Sequence, residues 1–322
     1  MPSHTIMDSQ SLAYITTDVF TSTRYEGNPL AIIRLPPSHS LTQDQKQKIA
    51  REFNFSETVI LHESEESYKK SEWVFDIFLT TAEIPFAGHP TIGTIVYLGK
   101  AIEKGGASGV INGTLLAKAG RLPFTYDTSS EIATAEVPND SHVHQKMLDS
   151  QALRNVGVRS EVLDGMAGPA AVVSIVKRMT FGLIELSSLA ALEYVAPGYS
   201  WLDTDGMNPE YTMNGHCGLM FYHITEQNES VTKIRTRMIL ETIEDPATGS
   251  ASSALGVWLA LQASKSHDAR KKVHKFEMTQ GVEMGRRSVI GVEITLDDEG
   301  TVVKVVLSGT AVEVMQGSLR VP

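Results

Sequence analysis

Two segments of the chain place small residues and a titratable side chain at the start of an apolar run. The first, Phe86–Thr94, contains His89, and the second, Glu244–Ser250, contains Asp245. The apolar residues that follow each segment predict a helix that is buried on most faces, and a proline suits the first turn because no N–H is needed there. A helix N-terminus has unpaired N–H groups and a partial positive charge. Two such segments facing one another would therefore bind a small anion, with a carboxylate as the natural ligand.

The side chains at these two helix starts suit either acid/base chemistry or plain structural roles. The helix dipole disfavours a charged imidazolium at His89, which leaves a neutral ring that can donate or accept a proton. The same dipole stabilises the carboxylate of Asp245, which could equally be a simple N-cap, and Ser250 could be an ordinary helix residue. Gly88 and Gly249 could serve only turns and close packing. The presence of both segments in one chain favours a functional site.

A third candidate, Glu57, stands at the entrance of an apolar strand predicted at Thr58–His62. An unpaired carboxylate buried at this point would be costly, so Glu57 must be exposed, paired or functional. Exposure is the simpler interpretation of its position alone. Inside a closed apolar cleft its pKa would rise, which is what a proton-transferring group needs near neutral pH.

Short strands separated by Gly, Pro and Asn turns dominate the remaining elements and predict an antiparallel-rich α+β fold. A surface helix is predicted over Gln43–Glu52, capped by Ser40 or Thr42, with Ile49 and Phe53 facing inward. A sheet curled around each apolar helix would bury it, and one such helix in each half suggests a duplication. The predicted strands are Tyr14–Phe20, Leu30–Leu35, Thr58–His62, Trp73–Leu79, Val172–Lys177, Thr180–Leu186, Ile234–Leu240, Val289–Leu296 and Val302–Leu307.

Two further segments bear on how the chain is organised. A length of 322 residues favours two domains. Turn and polar residues over Gly120–Ser130 predict the linker between them. The charged run Glu63–Lys70 is interpreted as a solvated hairpin tip without a binding function.

The composition limits the partners and the chemistry. With 28 Lys and Arg against 38 Asp and Glu, a net charge of −10 gives nucleic acid no electrostatic reason to bind. Cys217 is the single cysteine, so an internal disulfide and a zinc site are excluded and a cytoplasmic location is expected. No metal, nucleotide or flavin site is visible in the sequence, and no cofactor is expected. Glycine clusters such as Gly105-Gly106 lack the spacing of loops that bind a pyrophosphate. Met1–Gln10 does not resemble a secretory signal, and no apolar stretch is long enough to cross a membrane.

Five groups of residues follow one another along almost the whole chain. They are Asp18-Val19-Phe20 with Gly27-Asn28-Pro29, Asn54-Phe55-Ser56-Glu57-Thr58, Pro85-Phe86-Ala87-Gly88-His89-Pro90-Thr91, Glu244-Asp245-Pro246-Ala247-Thr248-Gly249-Ser250-Ala251, and Gln280-Gly281-Val282-Glu283-Met284-Gly285-Arg286. Together they strongly resemble the phenazine-biosynthesis PhzF-like family. Each motif alone is only moderately specific, but five in the family's order make chance or convergence improbable.

The resemblance implies the diaminopimelate-epimerase-like fold. In that fold, two similar domains each wrap a mostly antiparallel, barrel-like sheet around a central helix, with the active site in the cleft between them. The domains are expected at residues 1–124 with 309–322, and at residues 125–308. The resemblance also implies a small carboxylate-bearing substrate and favours a homodimer with a biosynthetic role.

The resemblance also implies roles for matching residues of this chain. The catalytic residues that it predicts are Glu57, His89, Asp245 and Ser250, and the substrate-binding residues are Asn28, Gly88 and Gly249. Glu57 matches the acid/base glutamate of the family. Diaminopimelate epimerase exchanges the proton between two cysteines, whereas this chain has only Cys217, within Asn214–Gly218, so that mechanism is excluded. Arg287 stands where proline is common in the family. This departure bears on whether the family's substrate can be assigned to this chain more than on the chemistry.

The leading hypothesis is a cofactor-independent isomerase that moves a proton within a small substrate carrying a carboxylate and an amino or hydroxyl group. Glu57 would move the proton, and His89 and Asp245 would orient polar substituents. One alternative is a non-catalytic protein that binds a small anion or a partner on the same fold. Another is a racemase or lyase that uses the same base.

Overall fold

The computed structural model describes residues 11–212, 217–265 and 271–322. These residues fold as two compact units. The N-terminal unit contains the described residues up to Tyr25 together with Pro29–Ala133 and Thr310–Pro322, and the C-terminal unit contains Glu26–Asn28 and the described residues of Thr134–Gly309. The end of the chain thus belongs to the first unit, in which the last strand pairs with the first.

The described residues form seven helices and eighteen strands. The helices are α1 (Gln43–Phe53), α2 (Glu65–Lys70), α3 (Gly88–Lys104), α4 (Ser150–Asn155), α5 (Ser160–Leu163), α6 (Leu189–Glu193) and α7 (Gly249–Lys265). The strands are β1 (Ser11–Val19), β2 (Asn28–Leu35), β3 (Thr58–His62), β4 (Glu72–Phe78), β5 (Glu83–Ile84), β6 (Val110–Ala117), β7 (Gly120–Asp127), β8 (Ile132–Glu136), β9 (His142–Val143), β10 (Ala171–Val176), β11 (Met179–Glu185), β12 (Cys217–Gln227), β13 (Thr232–Leu240), β14 (Ile243–Asp245), β15 (Val273–Gln280), β16 (Ser288–Leu296), β17 (Val302–Gly309) and β18 (Ala311–Arg320).

The sheet of the N-terminal unit mixes antiparallel and parallel pairs. Strand β2 pairs in parallel with β3, β3 is antiparallel to β4, and β4 is antiparallel to the short strand β5. After α3, β6 returns to lie parallel to β4 and forms an antiparallel pair with β7. Strand β1 is antiparallel to β18, with a bulge between Thr16 and Thr17.

The C-terminal unit repeats this order of pairings. Strand β11 is parallel to β12, β12 is antiparallel to β13, and β13 is antiparallel to the short strand β14. After α7, β15 lies parallel to β13 and antiparallel to β16. In both units, a short strand leads directly into a 17-residue helix, and the next long strand returns parallel to the same neighbour. The repeated topology supports the duplication inferred from the two helix starts.

Each long helix is enclosed by the strands of its own unit. Helix α3 packs against β1, β3, β7 and β18, and α7 packs against β10, β11, β15, β16 and β17. In α3 every residue from Gly88 to Val96 is buried, and in α7 every residue from Gly249 to Val257 is buried. The apolar character of both helices on nearly all faces, read from the sequence, is therefore explained by a surrounding sheet.

The surface helix α1 follows its predicted signals closely. Its N-cap is Thr42, which forms a reciprocal capping box with Gln45. Asn54 ends the helix in a left-handed conformation (φ 53°), and its N–H donates to the carbonyl of Ala50. Ile49 is buried, as expected of the inward face.

Two local predictions are wrong. The region Gly120–Asp127, expected as part of a linker, is strand β7 of a hairpin with β6. The charged run Glu63–Lys70, expected at a solvated hairpin tip, instead contains helix α2, which is capped by Ser64. Glu63, the first residue of the run, is only 8% exposed. The carboxylate of Glu63 pairs with Arg34 and accepts a hydrogen bond from the Tyr68 hydroxyl, because a buried charge needs such partners.

None of the helices in the described ranges combines the length and apolar character that a membrane span requires.

We expect Gly99→Ala to destabilise the N-terminal unit. A Cβ atom on Gly99 would lie 2.3 Å from ring atoms of Tyr126, which is fully buried and cannot move freely. The clash should lower the free energy of unfolding by about 1–3 kcal/mol, although alanine is the better helix former by roughly 1 kcal/mol. Urea denaturation measures this change. Gly168→Ala is the control because its Cβ would meet no atom within 4 Å, and a Gly99→Ala protein as stable as this control would contradict the packing.

Candidate active site

Glu57 lies in the short loop that joins α1 to the buried strand β3. The left-handed cap at Asn54 turns the chain out of the helix, and three residues later Thr58 enters the sheet, opposite Ala31 on β2 and Phe78 on β4. The side chain of Glu57 is therefore held against the end of a buried strand and is only 15% exposed. The exposed side chain that the sequence position alone favours for Glu57 is not observed.

His89 lies within reach of Glu57 in the same unit. It is the second residue of α3, its side chain is 5% exposed, and its Nε2 atom is 3.7 Å from Oε2 of Glu57. The separation is longer than a hydrogen bond. Acid/base pairs in ligand-free sites are often this far apart and approach only when substrate is bound.

Burial sets the protonation behaviour of Glu57. Removal of water from around the carboxyl group raises its pKa to about 7, and a hydrogen bond from the Ser56 side chain opposes this rise only in part. A carboxyl group with this pKa populates both its protonated and its ionised forms at neutral pH. It can therefore both accept a proton and return one.

The N-terminus of α3 is not covered by a side-chain cap. Its N-cap residue is Ala87, and no side-chain cap hydrogen bond is formed there, whereas the N-termini of α1 and α2 are capped by the hydroxyl groups of Thr42 and Ser64. The first turn, which includes Gly88, carries no acidic residue. The amide groups at this helix start are thus suited to a small anion.

The C-terminal unit holds Asp245 at the end of β14, where it pairs with Met238 of β13. The side-chain amide of Asn28 donates one hydrogen bond to Oδ1 of Asp245 (2.9 Å) and a second to the carbonyl of Ala247 (3.0 Å). Asn28, predicted to bind substrate, therefore contacts the predicted catalytic aspartate directly. Asn28 is 2% exposed, whereas Asp245 is partly exposed.

Gln280, at the end of β15, makes the other major contact with this loop. Its Nε2 donates to the main-chain carbonyl of Asp245 (2.7 Å) and to Oγ1 of Thr248 (3.0 Å), and its Oε1 accepts from the N–H of Thr248 (3.3 Å). The hydroxyl group of Thr248 in turn donates to Oδ2 of Asp245. Gln280 is fully buried, whereas Asp245 and Thr248 are partly exposed.

Gly249 and Ser250 form the first turn of α7. Both are buried, with Ser250 7% exposed, and the helix begins with the main-chain bond from Ser252 N–H to the carbonyl of Thr248. The first turn of α7 carries no acidic residue, as in α3. The two helix starts are therefore alike in structure as well as in sequence.

A glycine makes the loop after β15 fit against the Asp245 loop. Gly281 has φ +73°, and a Cβ atom there would lie 2.4 Å from the carbonyl oxygen of Arg286 and 2.7 Å from that of Pro246. The Arg286 side chain donates to the carbonyl of Gly27, and the N–H of Gly27 donates to the carbonyl of Arg287. The contact of Arg287 uses only its main-chain carbonyl, which proline also has.

Cys217 is placed outside both helix starts, on β12 opposite Thr180. Its side chain is buried, and burial raises the pKa of the thiol to about 12. The neighbouring residues 214–216 of the quoted segment lie outside the described residues.

The predicted site residues thus fall into two groups, one in each unit. Gly88 and His89 lie with Glu57 in the N-terminal unit, and Asn28, Asp245, Gly249 and Ser250 lie in the C-terminal unit. Thr248 and Gln280 join the second group although the sequence reasoning gave them no role. Buried and more exposed residues alternate along β15, and Gln280 occupies a buried position, as Phe276 and Met278 do. This alternation is the sequence signal that could have identified Gln280.

Within residues 11–212, 217–265 and 271–322, no group of three or more His, Cys, Asp or Glu side chains is arranged to hold a metal ion.

We expect the burial of Glu57 to appear as a pH-dependent stability. Its pKa is higher in the folded protein (about 7) than the ordinary value of 4.5, so its contribution is complete below pH 4.5 and is lost as the pH rises through 7. Relative to Glu57→Gln, the wild type should lose up to about 3 kcal/mol of unfolding free energy between pH 4.5 and 9. Chemical denaturation across this range measures the difference.

Glu65→Gln provides the control for this experiment, because the Glu65 side chain is 94% exposed. Parallel pH profiles for wild type and Glu57→Gln would show that Glu57 is not desolvated.

Comparisons with known proteins place these features in a family. The family model described as phenazine biosynthesis-like protein, PhzC-PhzF, matches residues 17–317. An uncharacterized isomerase of Clostridium acetobutylicum is 29% identical over 94% of this chain and 96% of its own length. The trans-2,3-dihydro-3-hydroxyanthranilate isomerase of Pseudomonas aeruginosa is 28% identical over 85% of this chain and 87% of its own length.

A solved structure shows the same fold. The phenazine biosynthesis protein of the PhzF family from Bacillus anthracis superposes with a TM-score of 0.73 at 21% identity, covering 96% of this chain and 99% of its own. The mixed α+β fold predicted from the sequence is confirmed. The match over 301 of 322 residues shows that the chain belongs to the phenazine biosynthesis-like PhzC-PhzF family, a family that includes named isomerases.

Proposed function

We propose that the protein is a cofactor-independent isomerase that moves a proton within a small carboxylate-bearing substrate, with Glu57 as the acid/base group. The observation that carries the proposal is the buried carboxyl group of Glu57, with a pKa of about 7, placed 3.7 Å from His89. Perturbed carboxyl groups of this kind are typical of acid/base sites.

The proposed step is a proton shuttle without net change in oxidation state. Ionised Glu57 takes a proton from a carbon atom, and the electron pair of the broken C–H bond enters the adjacent unsaturated system. Protonated Glu57 then returns the proton to another carbon of the same system, which shifts the double bond. Glu57 ends in its starting form, and no oxidant or reductant is consumed.

We propose that the remaining residues bind and orient the substrate. The uncovered amide groups at Gly88 and the matching helix start at Gly249 suit the substrate carboxylate, with Ser250 as a further hydrogen-bond donor. His89 and Asp245 would orient the polar substituents.

The named relatives guide the choice of substrate. The Pseudomonas aeruginosa relative is a trans-2,3-dihydro-3-hydroxyanthranilate isomerase, and this compound is a small carboxylate of the proposed type. It is therefore the first test compound, followed by a panel of cyclic and acyclic 2-amino and 2-hydroxy carboxylates. The expected homodimer is tested separately by light scattering.

We expect Glu57→Gln to reduce turnover by about 10²–10⁴-fold, because the amide can neither accept nor return the proton. The reaction is run in deuterated water and the product is analysed by NMR, which locates the deuterium. Movement of a double bond identifies an isomerase, and protium retained at the new C–H position shows that Glu57 returned the proton that it had taken. Cys217→Ala is the control, and it should keep wild-type turnover because the buried thiol has no role in the proposed step.

Other results would contradict the proposal. Deuterium at an inverted centre without movement of a double bond indicates a racemase, and release of water or ammonia indicates a lyase. Binding of these carboxylates without any chemical conversion indicates a non-catalytic binding protein. Full activity of Glu57→Gln would remove Glu57 from the reaction.

A further inference from the structure

The hydrogen bonds around Asp245 have only one consistent arrangement of donors and acceptors. The main-chain carbonyl of Asp245 can only accept, so the atom of Gln280 that lies 2.7 Å from it must be the amide nitrogen. The main-chain N–H of Thr248 can only donate, so the atom of Gln280 that faces it at 3.3 Å must be the oxygen. Main-chain groups thus fix the orientation of the Gln280 amide.

This orientation determines the direction of the Thr248 hydroxyl. The second hydrogen of the Gln280 amide points to Oγ1 of Thr248, 3.0 Å away, so that oxygen is an acceptor in this contact. The hydroxyl hydrogen of Thr248 is then directed to Oδ2 of Asp245, the other polar atom with which the hydroxyl pairs. Gln280 therefore makes Thr248 a donor to the carboxylate.

The second carboxylate oxygen of Asp245 is fixed in the same way. The side-chain nitrogen of Asn28 lies 3.0 Å from the carbonyl of Ala247, which can only accept, so this atom is a donor. The same nitrogen donates to Oδ1 of Asp245 at 2.9 Å. Each oxygen of Asp245 thus receives a hydrogen bond whose direction is imposed by the main chain.

The burial of these groups makes the arrangement stiff. Gln280 and Asn28 are 0% and 2% exposed, and Thr236, whose hydroxyl also faces the Gln280 oxygen at 3.5 Å, is 0% exposed. Rotation of the Gln280 amide would oppose donor to donor and acceptor to acceptor at a side chain that is 0% exposed, which is costly. The orientation of Asp245 is therefore transmitted from Gln280 through Thr248.

We infer that Thr248 and Gln280 are positioning residues that hold the Asp245 carboxylate in a single orientation as a hydrogen-bond acceptor toward the substrate. This inference rests on the proposed function, because it gives Asp245 a role in orienting the substrate.

The test uses matched changes at Thr248. Thr248→Val keeps the shape of the side chain but removes the hydroxyl, and Thr248→Ser keeps the hydroxyl. With trans-2,3-dihydro-3-hydroxyanthranilate as probe, Thr248→Val should lower kcat by about 10–100-fold while KM changes by less than about threefold, because a misaligned group affects the reacting geometry most. Thr248→Ser should stay within about threefold of wild type. Thr295→Val, at a half-buried position of β16, is the control, because it also replaces a threonine by a valine.

A double-mutant cycle shows whether Thr248 acts through Asp245. In the Asp245→Asn background, Thr248→Val should cause little further loss of kcat, because the carboxylate that Thr248 positions is already absent. Independent, multiplied losses in the double variant would overturn the inference. Gln280→Met, which removes the amide without adding charge, should resemble Thr248→Val.

Crystal structures of wild type and Thr248→Val provide a readout that needs no substrate. The Asp245 carboxylate should turn away from Asn28 in Thr248→Val and keep the wild-type orientation in Thr248→Ser. An unchanged carboxylate in Thr248→Val would overturn the inference even if the probe compound is not converted.

The outcomes separate this inference from the proposed function. If Glu57→Gln and Asp245→Asn both leave turnover unchanged, the proposed function fails. If Asp245→Asn lowers turnover and Thr248→Val does not, the proposed function stands and the positioning role of Thr248 is wrong.

Discussion

The free-energy cost of keeping the Glu57 carboxyl group away from water is the constraint on which the candidate chemistry depends. An ionised carboxylate in such a place is stabilised less than in water, and the consequence is a pKa near 7. The surrounding architecture maintains this burial. Strand β3 lies between β2 and β4, α3 is enclosed by the strands of its unit, and the side chains of Glu57 and His89 are 15% and 5% exposed.

The two units share a topology but have specialised differently. Both lead a short strand into a buried 17-residue helix with small residues at its start. The N-terminal unit places a histidine and a desolvated glutamate near that start, whereas the C-terminal unit surrounds an aspartate with amide and hydroxyl donors. The N-terminal unit thus carries the proposed proton-transfer group, and the C-terminal unit carries the carboxylate proposed to orient the substrate.

Elements with local signals were predictable from the sequence, and contacts between distant segments were not. The Thr42 cap and the alternating strands depend on neighbouring residues, so α1 and the main strands agree with expectation. The burial of Glu63 was missed because its partner Arg34 is 29 residues away. Turn and polar residues over Gly120–Ser130 predict a linker, because the pairing of β7 with β6 leaves no local signal in the sequence. The family motif contained Gln280, but its bond to Asp245, 35 residues away, exists only in the folded chain.

The state of the single cysteine has a practical consequence for measuring motion in this protein. Cys217 is almost inaccessible and its thiol stays protonated at neutral pH, so it reacts poorly with maleimides and other thiol reagents. Cysteines introduced on the surface of each unit can therefore carry spectroscopic labels without prior removal of the native residue. Distances between such labels within one unit would report on the conformation of that unit in solution.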